Sequence, residues 1–243
     1  MRLATFVPHG RDAPLAGEVR GDMVVAFASG TVKDRLASGD RTAADGEAFP
    51  LGSVRLLAPV PRPRAIFGIG LNYAAHAAEQ GSPLPEFPIV FMKLPTSSVA
   101  PGGPVVCPPV VRRLDYEVEL AVVMGSDTEI AGYAVADDVS ARDLQRREPQ
   151  WTRAKGFDTA CPWGPWITTA DEVPDPQGLR LTCHVNGEPR QDSTTAELIF
   201  GPRALVDFIA ETCTLEPGDV VRCEVESLGA IEHSISASGS RGR

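Results

Sequence analysis

Residues 114–125 read LDYEVELAVVMG, and the pattern of this stretch decides the fold. Side chains on a strand alternate between faces with period two. Asp115, Glu117 and Glu119 therefore share one face, while Tyr116, Val118 and Leu120 share the other. The continuation from Leu120 to Met124 is apolar at every position, as in a strand covered on both sides. Carboxylates on a buried face repel each other and are costly to desolvate. A bound dication removes both costs, and hard carboxylate oxygens suit Mg2+, Mn2+ or Ca2+. An edge strand with a solvated acidic face gives the same pattern.

Outward from this strand, the chain reads as strands separated by turns. MRLATFV, MVVAFAS and VRLLAPV in the first 60 residues are short strands between glycine, aspartate and proline clusters. PRPR at 61–64 marks a boundary, because prolines are excluded from sheet interiors. AIFGIGLN (65–72) and PIVFMKL (88–94) are strands, and NYAAHAAEQG (72–81) is a short helix with a glycine stop. IAGYAVADDVSARDLQRR (130–147) is a strand leading into a helix. LRLTCHVNGEPRQDS (179–193) is a hairpin turning on Asn186-Gly187. ELIFGPRALVDFIAETCTL (197–215) is one helix or two, broken near Gly201-Pro202. DVVRCEVESLGAIEHSIS (219–236) supplies a final strand pair, and ASGSRGR (237–243) is expected to be disordered. The sum is an α+β, mainly β architecture with short helices.

The 243 residues suffice to bury a core without disulfides or a structural metal. The net charge of −9, from 23 basic and 32 acidic residues without a basic run, argues against nucleic acid and anionic membranes as partners. The five cysteines are odd in number and form no C-x-x-C, which reads as reduced thiols rather than a disulfide framework. No apolar stretch suits a signal peptide or a membrane span, so a cytoplasmic location is expected.

A third carboxylate beside Glu117 and Glu119 would strengthen the metal reading. VADDVSARD offers Asp137, Asp138 and Asp143; the first two end an apolar strand, where a helix N-cap is their other role. His76 and Glu79 stand three apart on the expected helix and so share a face. Such a pair can serve as a general base for water, or it can be an ordinary surface pair. GIGLNYAA lacks the third glycine of a dinucleotide-binding turn, and no G-x-S-x-G elbow occurs.

Taken together, GIGLNYAAHAAE, PIVFMKLPTSSVAPGGPVVCP, LDYEVELAVVMG, GYAVADDVSARDLQ, AKGFDTACPWGPWI, LTCHVNGEPRQDSTTAELIF and LEPGD resemble the fumarylacetoacetate hydrolase family in identity and order. The resemblance covers roughly residues 60–235. It implies a mixed β-roll, with residues 1–60 as a small lead-in domain and 61–236 as the catalytic domain. It also implies a Mg2+ or Mn2+ ion, for which Ca2+ can substitute in crystals, and a homodimer. Carried over by motif, Glu117, Glu119 and Asp138 are the metal ligands. His76 and Glu79 match the family's water-activating dyad, and Lys155 matches the lysine beside the metal. Arg142, Gln145, Lys93 and Tyr73 match substrate-contacting positions.

The implied chemistry is enolate chemistry on a small 2-oxo acid. The first expectation is metal-dependent hydrolysis of a C–C bond in an acylpyruvate or fumarylpyruvate-like substrate. Isomerisation or decarboxylation of related oxo-diacids is the alternative. In one respect the chain departs from the family. After LEPGD most members continue through a Thr-Gly-Thr-Pro loop that helps bind the substrate carboxylate, then a second Gly-Asp strand. Here DVV runs directly into RCEVESLGAIEHSIS. A segment left out of the chain, an engineered deletion and a natural variant all fit that join. Losing a strand from a roll exposes a sheet edge. Metal binding is expected to persist, since all three ligands lie upstream, and substrate binding is expected to weaken. A catalytically weak binding or scaffold protein is therefore a further reading.

Of the remaining residues, Trp163 and Trp166 are expected in the core or at a dimer face. Trp151 is expected to shape the pocket, and Cys161 to be a small buried residue.

Overall fold

A computed structural model describes residues 1–74, 81, 83–222 and 228–237. Strands β1 (Arg2–Pro8), β2 (Leu15–Arg20), β3 (Met23–Ala26), β4 (Ala48–Pro50) and β5 (Val54–Leu56) come first, with helix α1 (Val32–Ser38) between β3 and β4. The main body begins with β6 (Ile66–Gly70), β7 (Ile89–Lys93), β8 (Ser98–Val99) and β9 (Val105–Cys107). It continues through β10 (Leu114–Asp115), β11 (Val118–Met124), β12 (Ile130–Asp137) and β13 (Ser140–Ala141). Helices α2 (Arg142–Arg147) and α3 (Thr152–Lys155) follow, then β14 (Cys161–Thr169) and the hairpin of β15 (Arg180–Val185) and β16 (Glu188–Thr194). Helix α4 (Pro202–Ala210), β17 (Val220–Arg222) and β18 (Ile235–Ala237) complete the order.

Most of these strands form one mixed sheet in the order β4-β3-β2-β1-β14-β12-β11-β17-β6-β7. The pairings β17–β6 and β14–β8 are parallel, and the other pairings in this sheet are antiparallel. This is the mainly β roll with short helices that the sequence implies. Strand β1 pairs with β14, so the lead-in segment and the main body share a sheet. The expected boundary at 61–64 falls in the link between β5 and β6.

The apolar run of β11 is buried on both faces, as its sequence requires. Ala121 and Val123 pack in one core cluster with Leu36, Ile66, Trp163 and Ile167. Leu120, Val122 and Met124 pack in another with Phe67, Leu181, Leu205 and Ile209. Burying a side chain such as Leu120 contributes roughly 1.5–3 kcal/mol, which is how β11 anchors the site at its start. Helix α1 covers the first cluster through Val32 and Leu36. It opens on a capping box between Thr31 and Asp34 and stops at Gly39 in the left-handed region. Helix α4 covers the second cluster with Leu205, Val206 and Ile209, and Pro202 sits in its first turn. The region expected to hold one or two helices thus has this one α-helix, preceded by a 3-10 turn at Thr195–Glu197.

The hairpin expected at Asn186-Gly187 forms, with φ of 53° and 81° at the two turn residues. Trp163 and Cys161 are each 1% exposed, in the core as expected. The two terminal strands do not pair with each other. Both edges of β17 are filled, by β11 and β6, so β18 joins β9 in parallel instead. Most of the expected helix at 72–81 and the 238–243 tail lie outside the described residues. No helix among the described residues is long and apolar enough to cross a membrane.

Candidate metal centre

Glu117, Glu119 and Asp138 each offer a carboxylate oxygen, and these three atoms lie within 4.8 Å of one another. Strand register explains the choice of Asp138. Val118 is directly opposite Asp137 and Glu119 opposite Ala136. Residues directly opposite in an antiparallel pair project to the same face. Asp137 therefore follows Val118, while Asp138 follows the face of Glu117 and Glu119. The N-cap role open to Asp137 or Asp138 is not taken by either. Helix α2 is flanked by Ala141 and has no side-chain cap.

Three cations close on the carboxylates. The Lys155 ammonium donates to Glu117 Oε2 at 2.5 Å and to Asp138 Oδ2 at 2.9 Å. Lys93, at the end of β7, donates to Asp138 Oδ1 at 2.5 Å. Arg142 donates to Glu117 Oε1 at 2.6 Å and to Asp115 Oδ2 at 2.7 Å, while Gln145 accepts from its third nitrogen at 2.9 Å. Burial pushes the Glu117 carboxyl up, as does Asp138. Lys155 and Arg142 outweigh them and hold it below the ordinary carboxylate range. Burial likewise works against the Lys155 charge, but Asp138 and Glu117 prevail and raise its pKa.

The donor set fits a hard divalent ion. All three candidate ligands are carboxylates, the chemistry that Mg2+ and Mn2+ prefer. Each oxygen has two lone pairs, so one that accepts from a lysine can still face a cation. The lysines reduce the repulsion among the carboxylates and hold them in place.

An aromatic wall stands behind Lys155. Its ammonium lies 5.2 Å from the Phe91 ring centroid, and Phe91 meets Trp151 edge-on at 5.6 Å. Bare backbone makes room for both rings. A Cβ on Gly68 would come within 2.2 Å of Phe91, and one on Gly70 within 2.5 Å of Trp151.

The structure thus gathers seven expected residues, Glu117, Glu119, Asp138, Lys155, Lys93, Arg142 and Gln145, into one connected group. Tyr73 forms a backbone bridge with Leu198 and packs against the second core cluster. His76 and Glu79 lie outside the described residues. Sequence reasoning missed the Ser140 hydroxyl, 3.3 Å from Glu117 Oε2, and the Phe91 ring under Lys155. It also missed His233, 3.0 Å from Asp137. The apolar run around Phe91 was a usable signal for a buried ring; nothing local to His233 announces its partner.

The family model described as fumarylacetoacetate (FAA) hydrolase C-terminal matches residues 65–223. The chain belongs to the fumarylacetoacetate hydrolase family. Among curated relatives, this family member is 38% identical over 223 residues to a mitochondrial oxaloacetate tautomerase of Bos taurus, covering 77% of this chain and 71% of the relative. It is 40% identical over 202 residues to an uncharacterised protein of Methanocaldococcus jannaschii, covering 72% and 84% respectively. Those 202 aligned positions exceed 72% of a 243-residue chain. The relative therefore carries residues without a counterpart here, in agreement with an absent family segment.

Among solved structures, a 5-carboxymethyl-2-hydroxymuconate delta-isomerase from Mycobacterium smegmatis superposes with a TM-score of 0.82 at 32% identity, covering 98% of this chain and 100% of the other. A maleylpyruvate hydrolase from Sphingobium, solved with manganese(II) and pyruvate, superposes with a TM-score of 0.81 at 27% identity, with the same coverage.

Proposed function

We propose that this chain is a divalent-metal enzyme that catalyses keto–enol tautomerisation or isomerisation of a small 2-oxo acid at Glu117, Glu119 and Asp138. The observation that carries the reading is the convergence of these three carboxylates with two buried lysines, Lys93 and Lys155. Mg2+ or Mn2+, held by the three carboxylates, would supply Lewis-acid charge to the substrate's carboxylate and keto oxygens. Lys155 holds a positive charge where negative charge develops on the substrate. Arg142, oriented by Asp115 and Gln145, binds the substrate carboxylate with its planar fork. Lys93 fixes Asp138. The Trp151–Phe91 pair excludes water from the lysine side of the pocket.

The oxaloacetate tautomerase and hydroxymuconate isomerase among the relatives support this order of preference. Hydrolysis of an acylpyruvate-like C–C bond, the first expectation from the sequence, is the second reading. The maleylpyruvate hydrolase likeness favours it, with His76 and Glu79 as the water-activating pair. As partners we propose a second copy of the chain and no nucleic acid. The apolar side chains of Ile89, Val90, Met92 and Leu94, exposed at the β7 edge, support the homodimer.

Purified protein with Mg2+ or Mn2+ should be given oxaloacetate, acetylpyruvate and a hydroxymuconate analogue while enol absorbance is followed. Faster enol–keto equilibration of oxaloacetate without loss of carbon is the expected result. Release of acetate and pyruvate from acetylpyruvate would move the second reading to first place. No turnover of any of them with metal bound would overturn the enzyme and leave a binding or scaffold protein.

A further inference from the structure

His233 reaches the centre from the far end of the chain. Its Nε2 lies 3.0 Å from Asp137 Oδ2, with side chains 15% and 8% exposed. The other Asp137 oxygen, Oδ1, accepts from the Glu117 backbone N–H at 2.9 Å. Alongside it, the Asp138 N–H donates to the Glu117 carbonyl at 2.7 Å. The two segments that carry the metal ligands are thus tied at their crossing by one backbone bond and one Asp137 bond. Asp137 itself faces away from the ligand cluster, as the register requires. A buried carboxylate needs partners to offset its desolvation, and His233 supplies one.

The segment bearing His233 is itself held on both sides. Gly102 N–H donates to the Glu232 carbonyl and Val105 N–H to the Ser234 carbonyl, each at 2.7 Å. Strand β18 then continues beside β9. The imidazole is therefore fixed by backbone that shares no strand with β11 or β12. Its Nδ1 is buried and has no hydrogen-bond partner among the described residues, so its polar contact runs through Nε2 to Asp137.

We propose that His233 is a positioning residue for the metal centre. Through Asp137 it fixes the Glu117 backbone, and so the spacing of Glu117 and Asp138. The proposal rests on the reading of Glu117, Glu119 and Asp138 as metal ligands. Partners in the shell outside the ligands commonly set metal affinity by about 10–100-fold.

The test is Mn2+ affinity of the full chain by calorimetry, with metal-free thermal unfolding run in parallel, for wild type, His233→Ala, His233→Gln and Asp137→Asn. Glutamine can donate from the place of Nε2. The expected result is an affinity loss of about tenfold in His233→Ala, recovered in His233→Gln while metal-free Tm differs little between the two. Asp137→Asn should lose affinity as His233→Ala does. Wild-type affinity in His233→Ala would overturn the proposal and leave the metal centre standing. Equal losses in His233→Ala and His233→Gln, or losses that follow metal-free Tm, would overturn it too. No Mn2+ binding by the wild type would overturn the metal centre and the proposal together.

Discussion

The Lys93 ammonium and the Asp138 carboxylate meet at 2.5 Å with side chains 0% and 4% exposed. Removing one partner of such a pair leaves a buried charge, which typically costs about 3–5 kcal/mol. Asp138 also accepts from Lys155, so Lys93→Met should cost about 3 kcal/mol, the lower end of that range, in metal-free protein. Saturating Mn2+ should then raise the Tm of the variant more than that of the wild type, because a cation bound at Asp138 replaces the lost charge. Melting curves with chelator and with Mn2+ check this, and equal metal-induced shifts would count against the site.

Glu119 offers a separate test of the ligand set. It shares a face with Glu117 across Val118 and belongs to the ligand group. Glu119→Gln keeps the shape and removes the charge. Mn2+ affinity should fall at least about tenfold, equivalent to about 1.4 kcal/mol. Secondary structure should be unchanged by circular dichroism. An unaltered dissociation constant would remove Glu119 from the ligand set.

Acid should act on the metal-free protein through Glu117. Burial raises its pKa, but Lys155 and Arg142 outweigh burial and the folded value lies below the ordinary 4.5. A depressed carboxylate contributes stability that is present above its unfolded pKa and is lost as pH falls through the folded one. Tm should therefore hold down to about pH 4.5 on this account and drop below it. In Glu117→Gln the acid limb of the Tm–pH curve should be shallower, although the variant is less stable at neutral pH. Lys155 has the opposite sign. Its raised pKa gives a contribution complete below about 10.5 and lost only as pH rises through the higher folded value. An identical acid limb in wild type and variant would refute the Glu117 assignment.

Much of this site was legible because its parts are local. Glu117 and Glu119 share a face by strand period alone, and the apolar run after them announces burial on both sides. The family resemblance then picked Asp138. The reason it is Asp138 and not Asp137 is a matter of register, Val118 against Asp137, which no local pattern contains. The link from His233 to Asp137 and the parallel pairing of β18 with β9 join segments far apart in the chain, where periodicity carries no information. Nearness in sequence suggests that the terminal strands pair with each other; the filled edges of β17 decide otherwise.

Gly68 offers a test of the aromatic wall. It lies in β6, paired with Phe91 of β7, and a Cβ there would come within 2.2 Å of the Phe91 ring. No rearrangement short of moving that ring relieves such a contact. Phe91 in turn packs against Trp151 and under the Lys155 ammonium. Gly68→Ala should therefore destabilise the protein by about 1–3 kcal/mol, the usual range for overpacking. Turnover should suffer more than metal affinity, since the displaced ring borders Lys155. Phe91→Leu combined with Gly68→Ala should recover stability by making space for the methyl. It should not recover turnover, because leucine offers no π face to the ammonium. Chemical denaturation and Mn2+-saturated kinetics of the two variants separate these effects, and full activity in the double variant would show that the ring merely fills space.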